Sequence, residues 1–289
     1  MIQKHNDPAR PIPVKHAAEM LDVSRSGYYK WTNRLSNSGT IDVEKGLLAE
    51  ILSISMEFPG YGYRRVTHEL KRRGLLVNHK RVRKILKENH LLVAKKRFKP
   101  LTTDSNHSHR VYPNLIRGLA IERPNQVWAS DITYIQLGKG FAYLAVLLDL
   151  YTRRCLGWAL GHDLSAKLTL DALLMALATR EDTPIDGLFH HSDQGVQYAS
   201  NEYVECLKAH GIQISMSRKG NPYDNAYVES FIKTLKTEEV YMNEYETFGM
   251  ALENIERFIE EMYNKKRLHS SLGYKTPMEF EQEALSIVA

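Results

Sequence analysis

The chain has 289 residues, 43% of them hydrophobic, which allows one large domain or two to three small ones around a buried core. Its two cysteines, Cys155 and Cys206, lie far apart, which excludes a disulfide framework and a zinc spacing and favours a reducing compartment. We find no run of about 18 apolar residues and no secretory signal, so we expect a soluble, cytoplasmic protein without a membrane partner.

The net charge of +5 conceals two parts of opposite sign. Residues 1–120 carry 23 Lys and Arg against 10 Asp and Glu, whereas residues 121–289 carry 16 against 24. A basic front part predicts a polyanionic partner, most simply nucleic acid. A solvated surface with a basic linker would give the same totals.

The first segment, residues 1–40, contains a helix-turn-helix pattern. In "VKHAAEMLDVSRSGYYKW" (residues 14–31), Ala17, Ala18 and Leu21 fall at helical spacing, and Ser24 is a suitable N-cap for a second helix. The polar residues 33–40 predict a loop after it.

Residues 41–93 predict a group of helices. The predicted helices cover residues 43–56, 64–74 and 78–92, with the helix breaker "PGYGY" at residues 59–63. Gly74 is a suitable C-cap for the second helix, and Asn78 is a suitable N-cap for the third. Residues 94–120 are polar, proline-bearing and unpatterned, so we interpret them as a basic linker.

The third of these helices has an apolar stripe of Val82, Ile85 and Leu86. The rest of its surface is basic and carries Lys80, Arg81, Arg83, Lys84 and Lys87. A capped basic helix after a short turn favours a DNA-binding helix-turn-helix. An ordinary amphipathic helix with a charged outer face would look similar.

From about residue 121 the pattern changes to strands that later alternate with helices. The predicted strands are residues 126–137, 141–151, 154–160, 187–193 and 212–217, and the predicted helices are about 166–180, 201–210, 225–240 and 247–264. A three-strand meander followed by alternating strands and helices predicts an α/β fold, a mixed five-stranded sheet with helices on its faces.

Three acidic residues stand out in this part. Asp131 alternates with apolar neighbours in the first strand, Asp193 ends the fourth strand, and Glu229 lies on the helix after the loop signal "KGNPYDN". A lone carboxylate in a buried strand is costly unless it is paired. If the three converge, their like charges require cations, and oxygen-only ligands suit Mg²⁺ or Mn²⁺. Two such ions can act together on a phosphodiester.

The helix that carries Glu229 has two lysines on the same face. At about 100° per residue, Lys233 and Lys236 lie within about 40° of Glu229. The opposite, buried side is predicted to be Tyr227, Phe231 and Leu235, and the N-cap is predicted to be Asp224 or Asn225. A surface salt-bridge ladder would show the same face.

The order Asp131, Asp193, Glu229, with 35 residues between the last two, resembles the D,D-35-E signature of retroviral integrases and bacterial insertion-sequence transposases. The surrounding words are similar to the insertion-sequence-3 family, in the product of its second reading frame, over about residues 10–285. They are "VWASDITYI", "LDLYTRRCLGW", "HHSDQGVQYAS", "SRKGNPYDNAYVESFIKTLKTE" and "YNKKRLHSSLGYKTP".

This resemblance implies a ribonuclease-H-like catalytic core over residues 121–289. It implies that Asp131, Asp193 and Glu229 are the catalytic residues and bind two Mg²⁺ or Mn²⁺ ions. It also implies that Lys236 contacts DNA near the reacting phosphate, and we expect the same of Lys233. The family's tail block, which we expect to cap the core, falls on Tyr263, Asn264, Arg267, His269, Leu272, Gly273, Tyr274, Thr276 and Pro277.

The implied function is metal-dependent cleavage and transfer of DNA strands by a transposase. The implied partners are double-stranded DNA, further copies of the chain on that DNA, and an upstream-frame helix-turn-helix and leucine-zipper protein, since this chain has no heptad run long enough for a zipper. A ribonuclease-H-like endonuclease that only hydrolyses, or a non-catalytic DNA-binding regulator, would carry similar sequence features. Joined DNA products would distinguish the first reading from both.

Two neighbours of the acids have simpler interpretations. His190 and His191 alternate in a strand, so one should point in and one out, each packed or hydrogen-bonded. Asp149 is expected to pair with Arg153 or Arg154.

Overall fold

The central element is a five-stranded mixed sheet in a computed structural model that describes residues 13–36, 38–93, 110–217 and 225–288, the side chains of 31, 33–44 and 287–288 excepted. The strands are β1 (Val127–Gln136), β2 (Phe141–Asp149), β3 (Cys155–Gly161), β4 (Phe189–Ser192) and β5 (Gln213–Met216), in the order β3-β2-β1-β4-β5. The first three form an antiparallel meander, and β4 and β5 run parallel to β1. The expected mixed sheet is confirmed.

Helices precede the sheet and cover it. They are α1 (Val14–Met20), α2 (Arg25–Ser36), α3 (Ser38–Glu57), α4 (Tyr63–Arg72), α5 (His79–Glu88), α6 (Ala166–Thr179), α7 (Asn201–Ala209), α8 (Ala226–Glu238), α9 (Phe248–Arg257) and α10 (Pro277–Val288). A π-helical segment, Phe258–Tyr263, continues α9. Within the described ranges, none of these helices combines the length and apolarity needed to cross a bilayer.

Both faces of the sheet are buried. On one face α8, α9 and the π-helical segment pack against Val127, Ala129 and Ile135. On the other face α6 and α7 pack against Trp128 and Leu147. Central strands in such a layered fold have no solvent side, so alternation along them does not separate buried from exposed residues.

The first helices form a separate core in front of the sheet. Residues of α3, α4 and α5, including Ile51, Val66 and Val82, make one apolar cluster. The predicted caps are confirmed. The Asn78 side chain accepts a hydrogen bond from Lys80 N at 2.9 Å, and Gly74 has a φ of +84°, which favours glycine. We call residues 38–93 the helical unit.

The predicted loop at residues 33–40 is wrong. Helix α2 continues to Ser36 and α3 already begins at Ser38. Polar residues and a glycine lower helix propensity by at most about 1 kcal/mol each, which neighbouring helical turns can overcome.

Helix α10 is absent from the sequence-based prediction, although its start carries a recognisable signal. Thr276 N donates to Glu279 Oε2 at 2.9 Å, and Glu279 N donates to Thr276 Oγ1 at 3.2 Å. This is a capping box with proline at the first helical position.

The tail block closes the edge of the sheet, as expected. Asn264 is buried, its side chain accepts from Cys155 N at 3.0 Å, and it donates to Cys155 O at 3.0 Å. One amide thus replaces the missing neighbour of an edge strand.

We expect Asn264→Ala to lower the free energy of unfolding by roughly 2–4 kcal/mol, because it leaves a buried N–H and a buried C=O without partners. Urea unfolding followed by tryptophan fluorescence measures this. Asn254→Ala is the matched control, since that side chain bonds Met250 O at the exposed surface of α9. Equal losses in the two variants would contradict the interpretation.

Candidate active site

Asp131, in the middle of β1, lies beside Asp193, the residue that follows the end of the parallel strand β4. In the β1–β4 register Ala129 is opposite His191, so the same register carried two residues further places Asp193 beside Asp131. Adjacent strands are about 4.8 Å apart. The parallel pairing of β1 and β4 therefore brings two of the three predicted carboxylates together.

Backbone groups hold these two carboxylates in place. Asp131 Oδ1 accepts from Ile132 N at 2.8 Å, and Asp193 Oδ1 accepts from Gly195 N at 2.8 Å. A Cβ at residue 195 would approach Asp193 Oδ1 to 2.9 Å, so glycine allows this turn to close on the carboxylate.

The proximity perturbs Asp131 strongly. Burial and then the negative charge of Asp193 raise the pKa of Asp131 to about 7, and the charge of Glu229 adds a smaller effect in the same direction. The N–H of Ile132 and the charge of Lys236 act in the opposite direction. The charges of Asp193, Glu229 and Lys236 thus all influence the pKa of Asp131.

Glu229 reaches the site from α8. The helix buries Val228, Phe231 and Leu235 against β1 and its neighbours, and Glu229 lies on the exposed side. At its start the buried Asn225 donates from Nδ2 to Ser130 O at 3.2 Å, which ties α8 to the strand residue before Asp131. Asn225 is the N-cap residue, but its side chain binds this strand and not the helix. Asp224 lies outside the described residues.

The predicted faces of α8 need two corrections. The buried stripe of α8 runs through Val228, so the neighbouring Tyr227 is 46% exposed. The Arg153 guanidinium lies 3.7 Å from the centre of the Tyr227 ring. Lys236 is only 8% exposed, and its Nζ lies 5.4 Å from the centre of the Tyr134 ring. Burial lowers the pKa of Lys236, and the charge of Asp131 opposes this. Lys233 is exposed, as predicted.

A buried polar group lies behind the carboxylates. His190 Nε2 is 2.9 Å from Ser130 Oγ and 2.8 Å from the Tyr203 hydroxyl. His191 Nδ1 is 2.9 Å from Ser215 Oγ. Both histidines are fully buried, so the expectation that one points outward is wrong, while their packed and hydrogen-bonded role is confirmed. Burial lowers the pKa of His190 to about 3, so its ring is neutral.

Tyr198 is a site residue that the sequence analysis does not single out. Its hydroxyl is buried and, within the described chain, has no hydrogen-bond partner. Burial raises its pKa well above the ordinary value, with further contributions from the charges of Asp131 and Asp193. Its position, five residues after Asp193 in "HHSDQGVQYAS", is the sequence feature that could have indicated a place near the carboxylates.

The arrangement suits a hard divalent cation. The facing donors are carboxylate oxygens, and the repulsion that raises the pKa of Asp131 is what a cation relieves. Among the described residues, no three His, Cys, Asp or Glu side chains are close enough together to enclose a metal ion. Glu229 acts on Asp131 less strongly than Asp193 does, so it is the outlying member.

The predicted DNA-binding residues of α5 lie in the helical unit. All five are exposed, and they are Lys80, Arg81, Arg83, Lys84 and Lys87. On an ideal helix the five span about 160°, centred nearly opposite the buried Val82 and Leu86. Lys84 Nζ is 3.6 Å from Glu88. The sequence therefore identifies a continuous basic face.

Asp149 does not pair with an arginine as expected. It is fully buried and accepts backbone hydrogen bonds from Asn125 at 2.6 Å, Tyr151 at 2.7 Å and Thr152 at 3.0 Å. Arg154 instead pairs with Glu281 of α10, a helix absent from the prediction. Asp149 thus shapes the turn after β2.

The chain matches two models described as integrase core domain, over residues 121–222 and 210–277, and one described as HTH-like domain over residues 42–99. It is 41% identical over 243 residues to the transposase for insertion sequence element IS904 of Lactococcus lactis subsp. lactis (strain IL1403), covering 83% of this chain and 95% of that protein. It is 34% identical over 289 residues to transposase InsF for insertion sequence IS3A of Escherichia coli (strain K12), covering 99% and 98%.

Among solved structures, the HTLV-2 integrase catalytic core domain in complex with magnesium is similar at 18% identity and a TM-score of 0.43, over 55% of this chain and 97% of that one. The fold and the integrase-core matches define a DDE polynucleotidyl transferase with a ribonuclease-H-like core. The chain belongs to the IS3 family of insertion-sequence transposases, and its function is DNA transposition.

We expect Asp131→Asn to stabilise the metal-free protein above pH 7. The pKa of Asp131 is about 7 in the folded chain and about 3.9 in an unfolded one, so between these values the folded state retains a proton that the unfolded state releases. The wild-type free energy of unfolding therefore falls as pH rises through this window, by up to about 1.4 kcal/mol per pH unit.

Urea unfolding in EDTA from pH 4 to 8 measures this difference. The difference in free energy of unfolding between the variant and the wild type should increase from pH 4 to 7 and then stay constant. Asp186→Asn, at an exposed carboxylate, is the control and should give a constant gap. A constant gap for Asp131→Asn would show that its carboxylate is not perturbed.

Proposed function

We propose that this transposase cleaves DNA strands at the ends of its insertion sequence and joins the freed 3′ hydroxyl to a second strand at a site formed by Asp131, Asp193 and Glu229. We propose that these residues hold two Mg²⁺ or Mn²⁺ ions. The observation that carries the proposal is the pair of aspartates on adjacent parallel strands, where burial and then the charge of Asp193 raise the pKa of Asp131 to about 7.

The protein residues have separate tasks in this proposal. Asp131 and Asp193 supply the fixed carboxylates, because their strands and backbone N–H groups leave them little freedom. Glu229 completes the set from α8. When bound, divalent ions stabilise charge on the phosphate and make the attacking oxygen more nucleophilic. No covalent enzyme intermediate is required.

Lys236 is placed to balance the charge of the site. It lies two turns after Glu229 on α8, buried beside Tyr134, and its charge acts on Asp131. We propose that it contacts DNA near the reacting phosphate, with the exposed Lys233 contacting the DNA backbone farther out.

The helical unit is proposed to bind the duplex through the basic face of α5. We expect its contacts to be mainly to phosphates, because lysine and arginine neutralise the charge of the DNA backbone whatever the base sequence. We divide the chain into a helix-turn-helix-like segment at residues 1–40, a basic helix-turn-helix-like DNA-binding domain at 41–93, a basic linker at 94–120 and the catalytic core with its C-terminal helices at 121–289. Two ends and two target strands imply several copies on the DNA, assisted by the upstream-frame protein.

We expect Asp193→Asn and Glu229→Gln each to reduce strand cleavage and joining by at least about 100-fold while DNA binding is retained, because each removes a negative oxygen ligand at nearly unchanged volume. The assay is a gel of a labelled duplex that carries the terminal repeat of the encoding insertion sequence, incubated with Mg²⁺ or Mn²⁺. Asp182→Asn, at an exposed carboxylate, is the matched control.

Joined products that disappear in the acid variants would support the proposal. Nicks without joining, even after the upstream-frame protein is added, would mean that the chain only hydrolyses DNA. Turnover retained by Asp193→Asn would exclude that residue from the site.

We expect simultaneous replacement of Lys80, Arg83 and Lys87 by alanine to weaken DNA binding and to reduce its salt dependence. A plot of log K against log salt concentration has a negative slope, and each lost phosphate contact reduces its magnitude by about 0.9. Fluorescence anisotropy with a labelled duplex, at salt concentrations from about 50 to about 300 mM, measures the slope.

Three exposed lysines of the catalytic core provide the control for this variant. Replacing Lys167, Lys208 and Lys265 by alanine removes the same charge from α6, α7 and the tail, and should leave the slope nearly unchanged. Equal slopes for the two triple variants would show that α5 is not the DNA-contacting face.

A further inference from the structure

Three distant stretches of the chain meet at one carboxylate, Glu238. It is the last residue of α8. Arg267 of the tail block donates to it from Nε at 2.7 Å and from Nη2 at 2.7 Å. Arg65 of the helical unit lies 3.9 Å from the same carboxylate. A two-bond arginine–carboxylate pair fixes the orientation of both side chains.

This junction is tightly enclosed. The side chain of Arg267 is 4% exposed and that of Glu238 is 10% exposed. A Cβ at Gly60, in the "PGYGY" stretch, would overlap the Glu238 side chain. The backbone of the helical unit therefore lies directly on Glu238, and neither side chain of the ion pair can move without the other.

The tail block also binds the helical unit directly. Leu268 N donates to the Tyr61 hydroxyl at 2.7 Å, and Leu268 is buried within the apolar cluster of the helical unit. His68 stacks on Tyr274 with ring centres 3.5 Å apart. Burial raises the pKa of Tyr61 to about 12, so its hydroxyl stays protonated at neutral pH. The tail thus links the helical unit to the end of α8.

The consequence for the active site follows from the position of Glu238 on α8. It lies nine positions after Glu229 and two positions after Lys236 on one continuous helix. A helix transmits displacement along its axis because its hydrogen bonds make it stiff. At the other end, the described side-chain contact of Asn225 is one hydrogen bond to Ser130 O. Among the residues that the structure describes, the end of α8 at Glu238 is thus held by a two-bond ion pair.

We propose that Glu238 is a positioning residue: held by Arg267 and Arg65, it sets where α8 presents Glu229 to Asp131 and Asp193, and so couples the DNA-binding helical unit to the catalytic site. This inference rests on the proposed role of Glu229 in metal binding. It assigns a task to "PGYGY" and to the tail block, neither of which the proposed chemistry uses.

The experiment compares Glu238→Gln with Glu279→Gln in the full chain. Glu279 also joins the helical unit to the core, through hydrogen bonds from Arg72 at 3.0 and 2.6 Å, but it lies on α10, which carries none of the three acids. For each protein we would measure strand cleavage against Mg²⁺ concentration, the affinity for the terminal-repeat duplex, and the thermal midpoint.

We expect Glu238→Gln to raise the Mg²⁺ concentration for half-maximal cleavage by about tenfold, in the range found for residues that orient metal ligands, without a change in DNA affinity. Glu279→Gln should lower the thermal midpoint and leave the Mg²⁺ dependence at the wild-type value. Arg267→Lys, which keeps the charge but not the fork of two hydrogen bonds, should fall between the wild type and Glu238→Gln.

The outcomes separate this inference from the proposed function. If the wild type cleaves and Glu229→Gln does not, but Glu238→Gln has the wild-type Mg²⁺ dependence, the positioning role is wrong and the proposed site stands. If Glu279→Gln changes the Mg²⁺ dependence of cleavage as much as Glu238→Gln does, Glu238 has no specific positioning role and the inference is wrong. If Glu229→Gln cleaves normally, the proposed site itself fails. Should Glu238→Gln not fold, Arg267→Lys supplies the same comparison.

Discussion

The structure is organised around the repulsion between two carboxylates that the sheet places on neighbouring strands. Asp131 in the middle of β1 and Asp193 directly after β4 lie in the same register, where burial and then the charge of Asp193 raise the pKa of Asp131 to about 7. The surrounding fold holds such a pair rigidly, and either a proton on Asp131 or a bound cation relieves the repulsion. The hydrogen-bonded group of Ser130, His190 and Tyr203 supplies the rigid support from behind, where water is excluded.

Helix α8 has to satisfy two requirements at once. Its apolar stripe of Val228, Phe231 and Leu235 completes the core of the sheet, and its outer side presents Glu229. Since no apolar contact fixes a carboxylate on the exposed side, its position depends on where the whole helix lies. Contacts at the two helix ends, through Asn225 and Glu238, therefore matter more for the site than contacts along it.

The tail block connects the sheet, helix α8 and the helical unit. Asn264 replaces a strand at the sheet edge, Arg267 holds the end of α8, and Leu268 enters the apolar cluster of the helical unit. One short segment therefore contacts the sheet, the helix that carries Glu229 and the helical unit. Under the proposed function, this bridge places DNA binding by the helical unit and catalysis by the core in one rigid frame.

The sequence by itself determined the elements whose signals are local: the strands, most helices, the caps at Asn78 and Gly74, the exposed face of α5, and the family that identifies the three acids. It failed where the deciding contact is distant in the chain. Both faces of the sheet are covered, so His190 and His191 are both buried. Asp149 is satisfied by backbone N–H groups, and Lys236 is buried against Tyr134. The junction at Glu238 joins residues about 30 and 170 positions apart along the chain, which no local period records. Only tertiary packing decides such contacts, because each depends on which surfaces the finished sheet and helices leave free.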